Sequence, residues 1–221
     1  RRVLFRSKET GKLCMTAFKK RYAVAYDRAK QWIDSFPAED RYSLSVDYAS
    51  ANYNSNTTER RFLLDFTVHL IDLVGFLFGD VAQVHCFARE DHAYAVGLRF
   101  TCGAVGAMNL TDGRSFGIPT EEVEITIAGG NWMTVSNSSR YRIAADGKCT
   151  EWREPPLFTS AGDSGHETGH GTELAHFIAA LQGGETPRST IDQSYKSMVL
   201  FEAIVEAANT GKIVDVKYEA I

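Results

Sequence analysis

The sequence is short of several features that would each point to a particular class of protein. It has only four cysteines, and none of them forms a CxxC pair, which excludes a zinc ribbon and a thioredoxin-type redox motif. The scattered thiols fit a reducing, cytoplasmic setting, although two disulfides between distant cysteines stay open. With 18 glycines and 5 prolines, the chain has no collagen-like composition.

The chain also lacks an excess of positive charge. The chain has 24 Lys and Arg residues against 28 Asp and Glu residues, so its net charge is −4 and no basic face is evident. Nucleic acid and an anionic membrane surface are therefore poor candidates for the main partner. A small acidic ligand stays open, because it needs only one or two local cations.

No apolar run is long enough and clean enough to cross a membrane. The most apolar window, residues 62–79, is interrupted by Asp65, His69 and Asp72. Each carboxylate near the centre of a bilayer costs roughly 2.5–3.5 kcal/mol. The window therefore predicts a buried core helix.

The sequence that is present predicts one α+β architecture. Between residues 81 and 154, short β-rich runs follow one another, separated by turn residues. Helical patterns cover residues 22–35, 172–181 and 191–209, and short strands are predicted at 13–18, 42–48 and 213–217. Helices grouped before and after a run of strands predict an open, mainly antiparallel sheet with helices packed on one face.

The polar residues of the apolar window form a candidate site. Asp65, His69 and Asp72 lie at i, i+4 and i+7, which places them in one stripe on a continuous helix. Asp65 at this spacing can accept a hydrogen bond from His69, which would raise the basicity of the other ring nitrogen and suit a general base. The alternative is a structural stripe, with His69 satisfied by a backbone carbonyl.

Three segments resemble the carboxyl-terminal half of the Gfo/Idh/MocA (glucose–fructose oxidoreductase/inositol dehydrogenase) family, in family order. They are KETGKLCMTAFKKRYAVAYDRAK, LLDFTVHLIDLVGFLFGDV and ELAHFIAALQGGETPRSTIDQSYKSMVLFEAIVEAANTGKIVDV. The resemblance implies a NAD(P)-dependent oxidoreductase acting on a sugar, polyol or related hydroxy compound. It implies His69 as the proton-transfer residue and Asp65 as a group that orients or polarises the site. Arg21 and Asp72 are implied as substrate contacts, with a surface role for Arg21 and a structural role for Asp72 as alternatives.

The resemblance also implies where NAD or NADP binds. No GxGxxG turn follows a strand, and no E-K-P segment is present, although both belong to the upstream half of the family pattern. We therefore expect residues 1–7 to be a non-native scar and residues 8–20 a remnant of the nucleotide-binding domain. Residues 21–221 are then the substrate-binding and oligomerisation domain, which we expect to be inactive without the upstream half.

Two other functions compete with this interpretation. One is a non-catalytic sugar-binding or oligomerisation module of the same family, with a second copy packing on the uncovered face of the sheet. The other is a zinc protease, because His166, Glu167 and His170 form an HExxH string and His176 follows at the distance of a third ligand. Glycines at 165, 169 and 171 disfavour the helix that such a site needs, so we expect no metal.

Overall fold

The computed structural model describes residues 6–7, 9–50, 61–115, 117–153 and 168–219. Most of the expected scar, the polar loop before residue 61, and His166 and Glu167 lie outside these ranges. The α-helices are α1 (Val24–Asp34), α2 (Arg61–Asp65), α3 (Val68–Phe78), α4 (His170–Leu181) and α5 (Ile191–Thr210). The strands are β1 (Arg41–Ala49), β2 (Val81–Arg89), β3 (Ala93–Phe100), β4 (Val105–Thr111), β5 (Thr120–Ile127), β6 (Asn131–Ser136), β7 (Arg140–Ala145), β8 (Lys148–Arg153) and β9 (Val214–Asp215).

The strands form one open sheet in the order β8-β7-β6-β5-β1-β4-β3-β2-β9. Every pair is antiparallel except β1 and β4, which run parallel with Val46 opposite Met108. The run of β2, β3 and β4 connects through tight turns, as the sequence predicts. The predicted α+β class with a mainly antiparallel sheet is therefore confirmed.

One face of the sheet carries the core. Along β5, Val123 and Ile125 are fully buried while Glu122 and Glu124 are exposed, which is the alternation of a strand with one covered face. Helix α1 packs against β6, α3 against β1, and α5 against β2 and α3. Burial of each apolar side chain in this layer contributes roughly 1.5–3 kcal/mol, so the layer fixes the helices relative to the sheet.

The sequence predicts a single helix over residues 62–78. This prediction is wrong near its centre, because the helix is interrupted between α2 and α3. The amide of Thr67 donates to the carbonyl of Phe62, a wide i→i−5 turn, and its hydroxyl donates to the carbonyl of Leu63 at 2.7 Å. A threonine that returns its hydroxyl to the previous turn bends a helix. Residues on either side of Thr67 consequently do not share one helical face.

The beginning of the chain also differs from prediction. Residues 13–18 are not a strand; they pair with the rest of the structure through a single bridge, Met15 to Thr190. A segment with one bridging partner lacks the ladder of hydrogen bonds that defines a strand. The helix predicted from residue 22 begins at Val24, since Tyr22 ends a 3₁₀ turn, Lys19–Tyr22, called the basic turn below.

The last helix has the boundaries that its sequence signals predict. Thr190 and Gln193 form a reciprocal capping box at the start of α5. Gly211 ends the helix in the left-handed conformation, with φ of 65°, as predicted for a glycine C-cap.

All four cysteines are free thiols, so no disulfide bond cross-links the fold. Among the described helices, none combines the length and apolar content needed to cross a bilayer.

Candidate functional site

The basic turn lies between α3 and α4 and carries three cationic residues, Lys19, Lys20 and Arg21. Gly169, immediately before α4, packs closely against the backbone of the basic turn. A Cβ on Gly169 would lie 2.1 Å from the carbonyl oxygen of Lys19, and φ of Gly169 is +93°. Only glycine fits this approach and this conformation, so α4 is held tightly against the turn.

Arg21 and Asp72 form a buried, two-pronged ion pair. Nε of Arg21 donates to one carboxylate oxygen of Asp72 at 2.8 Å, and Nη2 donates to the other at 2.6 Å. Nη1 of Arg21 donates to the carbonyl of Arg188 at 2.5 Å and to Gln193 at 3.0 Å, and the hydroxyl of Ser197 donates to Asp72 at 2.7 Å. This network ties the basic turn to α3 and α5.

The predicted substrate contacts Arg21 and Asp72 are therefore brought together, and their strongest bonding is to each other. The pair borders a cavity of about 280 Å³, which residues of α3 and α5 line together with Lys30 and Tyr218. A guanidinium that donates two hydrogen bonds to one carboxylate holds both side chains in a fixed geometry.

Lys20 is the second buried cation, and the sequence analysis missed its role. Its ammonium donates to Glu121 of β5 and, at 3.3 Å, to Ser138. Glu121 also accepts from the hydroxyls of Tyr26 at 2.7 Å and Ser138 at 2.8 Å. Burial by itself raises the pKa of Glu121, but the Lys20 ammonium and these donors outweigh burial and lower that pKa below its ordinary value.

A signal for this network existed in the sequence. Glu121 has the same strand parity as Val123 and Ile125, so the alternation of β5 places its carboxylate on the covered face. A carboxylate on that face requires a buried cation. Lys20 and Glu121 also border a cavity of about 460 Å³ with Tyr48 and Asn137.

His69 lies in the first turn of α3, beside both lysines of the basic turn. Its ring packs edge-on against Phe18 with 6.1 Å between the ring centroids, and its buried Nδ1 has no hydrogen-bond partner among the described residues. Burial lowers the pKa of His69, and the charges of Lys20 and Lys19 lower it further, to about 4. The imidazole is therefore neutral at pH 7.

The predicted Asp65–His69 pair does not form. Asp65 ends α2 and is exposed, whereas His69 follows the break at Thr67, so the i, i+4 geometry of a continuous helix is lost. No hydrogen bond joins the two side chains in the described part of the chain. The pKa of His69 is lowered, opposite to the predicted increase in basicity, while the catalytic role expected of Asp65 stays a prediction.

Glu173, in the first turn of α4, is a further residue that the sequence analysis missed. Its side chain is buried, and its Oε1 has no hydrogen-bond partner among the described residues. Burial raises the pKa of Glu173 to about 7, although the Lys19 charge acts in the opposite direction. The signal was its spacing: Glu173 and His176, at i and i+3, are the buried polar residues of this helix.

The remaining histidines of the zinc motif have other partners. His170 begins α4, and its Nδ1 bonds the hydroxyl of Thr168 at 2.9 Å. His176 pairs with Glu185, and its Nε2 bonds the carbonyl of Thr186 at 3.1 Å. Gly169 is left-handed, and α4 begins after it, at His170. Among the described residues, no group of three metal-ligating side chains comes together.

One protein-family model matches the sequence of this chain. The sequence model described as "Oxidoreductase family, C-terminal alpha/beta domain" (GFO_IDH_MocA_C) matches residues 46–216. No curated protein sequence matches the chain.

Solved structures share the fold at low sequence identity. An oxidoreductase from Agrobacterium radiobacter in complex with NAD+, L-tartaric acid and magnesium has a TM-score of 0.83 and 17% identity, over 97% of this chain and 68% of that one. The WlbA dehydrogenase from Bordetella pertussis in complex with NADH and UDP-GlcNAcA has a TM-score of 0.74 and 18% identity, over 99% and 68%. A levoglucosan dehydrogenase in complex with NADH and L-sorbose has a TM-score of 0.76 and 19% identity, over 94% and 66%. At these identities the likeness shows the fold.

Proposed function

The chain belongs to the Gfo/Idh/MocA oxidoreductase family as its C-terminal alpha/beta domain, and from this premise we propose that it binds the substrate of a NAD(P)-dependent oxidoreductase. The substrate class is a sugar, a polyol or a related hydroxy compound. The similar structures contain NAD+ or NADH together with L-tartaric acid, UDP-GlcNAcA or L-sorbose, all of which carry hydroxyl groups. Their ligands support the class without selecting a member of it.

The observation that carries the proposal is the state of His69. Its pKa of about 4 leaves the ring neutral at pH 7, and its buried Nδ1 has no hydrogen-bond partner among the described residues. A neutral imidazole has one nitrogen that can accept a proton from a substrate hydroxyl. In this proposal the neutral ring of His69 takes the hydroxyl proton as a general base during oxidation, and in the reverse direction the protonated ring returns that proton to the substrate oxygen.

The nicotinamide supplies hydride chemistry when it is bound. The printed sequence contains no glycine-rich phosphate-binding turn after a strand, so no residue of this chain is assigned to the nucleotide. The contribution proposed for the chain is to hold the substrate and to move the hydroxyl proton at His69.

The other site residues act around His69. Arg21 and Asp72 hold the basic turn against α3, the helix that carries His69, so they position the site. Direct substrate contact by either one stays a prediction, as does polarisation of the site by Asp65. Association with a second copy through the uncovered face of the sheet also stays a prediction.

The test is a turnover assay on a polypeptide that joins this chain to a nucleotide-binding domain, with a panel of sugars, polyols and hydroxy acids. His69→Asn should lower kcat by roughly 10²–10⁴-fold and leave the Kd for NAD(P) unchanged, because positioned acid–base groups contribute on that scale. His92→Asn is the matched control, since His92 is exposed in the β2–β3 turn and bonds Asp112. Full turnover in folded His69→Asn would show that His69 is a structural residue, whereas no turnover of any compound by the unaltered polypeptide would favour the non-catalytic module.

A further inference from the structure

The Lys20–Glu121 pair forms part of the wall of a cavity. The cavity measures about 460 Å³, a size typical of small-molecule sites. The side chains of Lys20 and Glu121 are only 11% and 6% exposed. Tyr48, which also lines the cavity, lies directly opposite Glu121 in the pairing of β1 with β5, so both side chains lie on the covered face of the sheet. The sheet therefore fixes this part of the cavity wall.

The two charges on the cavity wall cancel each other. The ammonium of Lys20 pairs with the carboxylate of Glu121. The other described residues that line the cavity carry no charge at pH 7; they are Tyr48, residues 117–120, Asn137 and Ser138. Burial raises the pKa of Tyr48, which keeps its phenol neutral. The cavity therefore contains charged groups but has no net charge.

Two side chains at the cavity retain protons for further hydrogen bonds. Asn137 accepts from the backbone amide of Glu121 through Oδ1 at 2.9 Å, and its side-chain nitrogen makes no hydrogen bond to a described residue. The ammonium of Lys20 has three protons, and among the described residues only Glu121 and Ser138 accept from it. These donors can bind the oxygen atoms of a ligand.

The turn that carries Asn137 and Ser138 has an unusual backbone. Their φ angles are +48° and +60°, although neither residue is glycine. Such a conformation is uncommon for serine, and strained positions of this kind cluster at sites that bind or react. Here it places the hydroxyl of Ser138 at 3.3 Å from Nζ of Lys20 and at 2.8 Å from Oε1 of Glu121. The strained turn therefore completes the wall around the buried pair.

The cavity and His69 adjoin the same short segment of the chain. Lys20 lines the cavity, and Phe18, immediately before the basic turn, packs against the ring of His69 with 6.1 Å between the centroids. Resting on the proposed function, we infer that this cavity binds part of the substrate and that the Lys20–Glu121 pair restricts the substrate to uncharged sugars and polyols.

The compensated pair explains the selectivity. Hydroxyl oxygens can accept the remaining protons of Lys20 and Asn137 without bringing a charge into the cavity. A carboxylate would give up its water beside the carboxylate of Glu121, and the cation that could compensate it is already paired. Lys20 and Glu121 are thus specificity-determining residues, and Glu121 is the one that excludes acids.

The inference is tested on the 221-residue chain by NMR titration with matched neutral and acid ligands. The pairs are glycerol and glycerate, glucitol and gluconate, and galactose and galacturonate. Affinity is measured from the amide resonances of Asn137 and Ser138, which report on the cavity itself. Glu121→Gln removes the negative charge of the pair, and a double variant, Lys20→Gln with Glu121→Gln, removes both charges. Glu124→Gln is the control, because it makes the same change on the exposed face of the same strand.

At least one neutral compound should bind the unaltered chain tenfold or more tightly than its acid partner. Glu121→Gln leaves the ammonium of Lys20 uncompensated, so it should strengthen binding of that acid at least tenfold, in line with the strength of hydrogen bonds between charged groups. The double variant buries no lone charge and should keep the neutral preference, even if Glu121→Gln fails to fold. Glu124→Gln should keep it as well.

Equal or tighter binding of the acids by the unaltered chain overturns the inference. A preference that folded Glu121→Gln leaves unchanged, or a preference that the double variant loses, also overturns it. Binding that does not shift the amides of Asn137 and Ser138 overturns the assignment of the ligand to this cavity. If no compound binds, the inference fails. The proposed function is decided separately, by turnover in the polypeptide joined to a nucleotide-binding domain.

Discussion

The two ends of the basic turn differ in how completely their polar groups are satisfied. At Arg21, the guanidinium and its partner Asp72 are buried, and five hydrogen bonds connect them to each other and to α5 or the segment before it. At Lys19, two residues away, the ammonium has no partner among the described residues, and neither Nδ1 of His69 nor Oε1 of Glu173 is hydrogen-bonded.

This difference distinguishes side chains that stabilise the fold from side chains that could take part in binding or catalysis. Buried polar groups in folded proteins are nearly all hydrogen-bonded, and exceptions concentrate at sites that bind or react. The satisfied end anchors the turn to the helices. The unsatisfied end leaves a ring nitrogen of His69 and a carboxyl oxygen of Glu173 without a hydrogen-bond partner among the described residues.

The largest effect is expected at the satisfied end. Asp72→Ala should lower the free energy of unfolding by about 3–5 kcal/mol, because it leaves Arg21 as an uncompensated buried charge. Asp80→Ala is the matched control: Asp80 follows α3 and pairs with Lys196 near the surface, so its loss should cost at most about 1 kcal/mol. Chemical denaturation measures both. A loss below 1 kcal/mol for Asp72→Ala would show that the pair is not an anchor.

An intermediate effect, dependent on pH, is expected at Glu173. The folded state raises the pKa of this carboxyl to about 7, so folding takes up a proton between pH 4.5 and 7, and the stability that this proton brings is lost as the pH rises through that range. Glu173→Gln, which does not titrate, should gain up to about 3 kcal/mol relative to the unaltered chain between pH 4.5 and 7, since one pKa unit corresponds to about 1.4 kcal/mol.

Denaturation of both chains at several pH values measures this difference. His69 has the opposite sign, because its lowered pKa makes stability fall as the pH drops from 6.5 to about 4. Its contribution is common to both chains and cancels in the comparison. A constant difference between the two chains would mean that folding does not raise the pKa of Glu173.

The smallest effect is expected at Asp65. Its exposed side chain makes no hydrogen bond to His69, so Asp65→Asn removes no contact of the imidazole. The NMR titration midpoint of His69 should stay where it is. A drop of one pH unit or more in that midpoint would show that the Asp65–His69 pair predicted from the sequence does form.

Sequence patterns predicted the sheet and its covered face well because they depend on local periodicity. The alternation of β5 and the capping signals of α5 each follow from residues close in the chain. The break between α2 and α3 was not predicted, because an apolar window with helical spacing contains nothing that separates a straight helix from one interrupted by a threonine hydroxyl.

The candidate site was predicted in part. His69 came from the polar stripe and the family resemblance, and Arg21 and Asp72 were named without their mutual pairing. Lys20 and Glu121 are 101 positions apart, and Glu173 lies 154 positions after Lys19. Contacts at such separations depend on how the helices pack on the sheet, which periodicity does not encode.

The most direct test of the account is the pH titration of the His69 ring by NMR in the folded chain, with His92 as the internal reference. We expect a midpoint of about 4 for His69, because it is buried beside Lys19 and Lys20. His92 should titrate above 6.5, because its hydrogen bond to Asp112 raises its pKa. A His69 midpoint at or above 6.5 would contradict the claim that the basic turn keeps this imidazole neutral and able to accept a proton at pH 7.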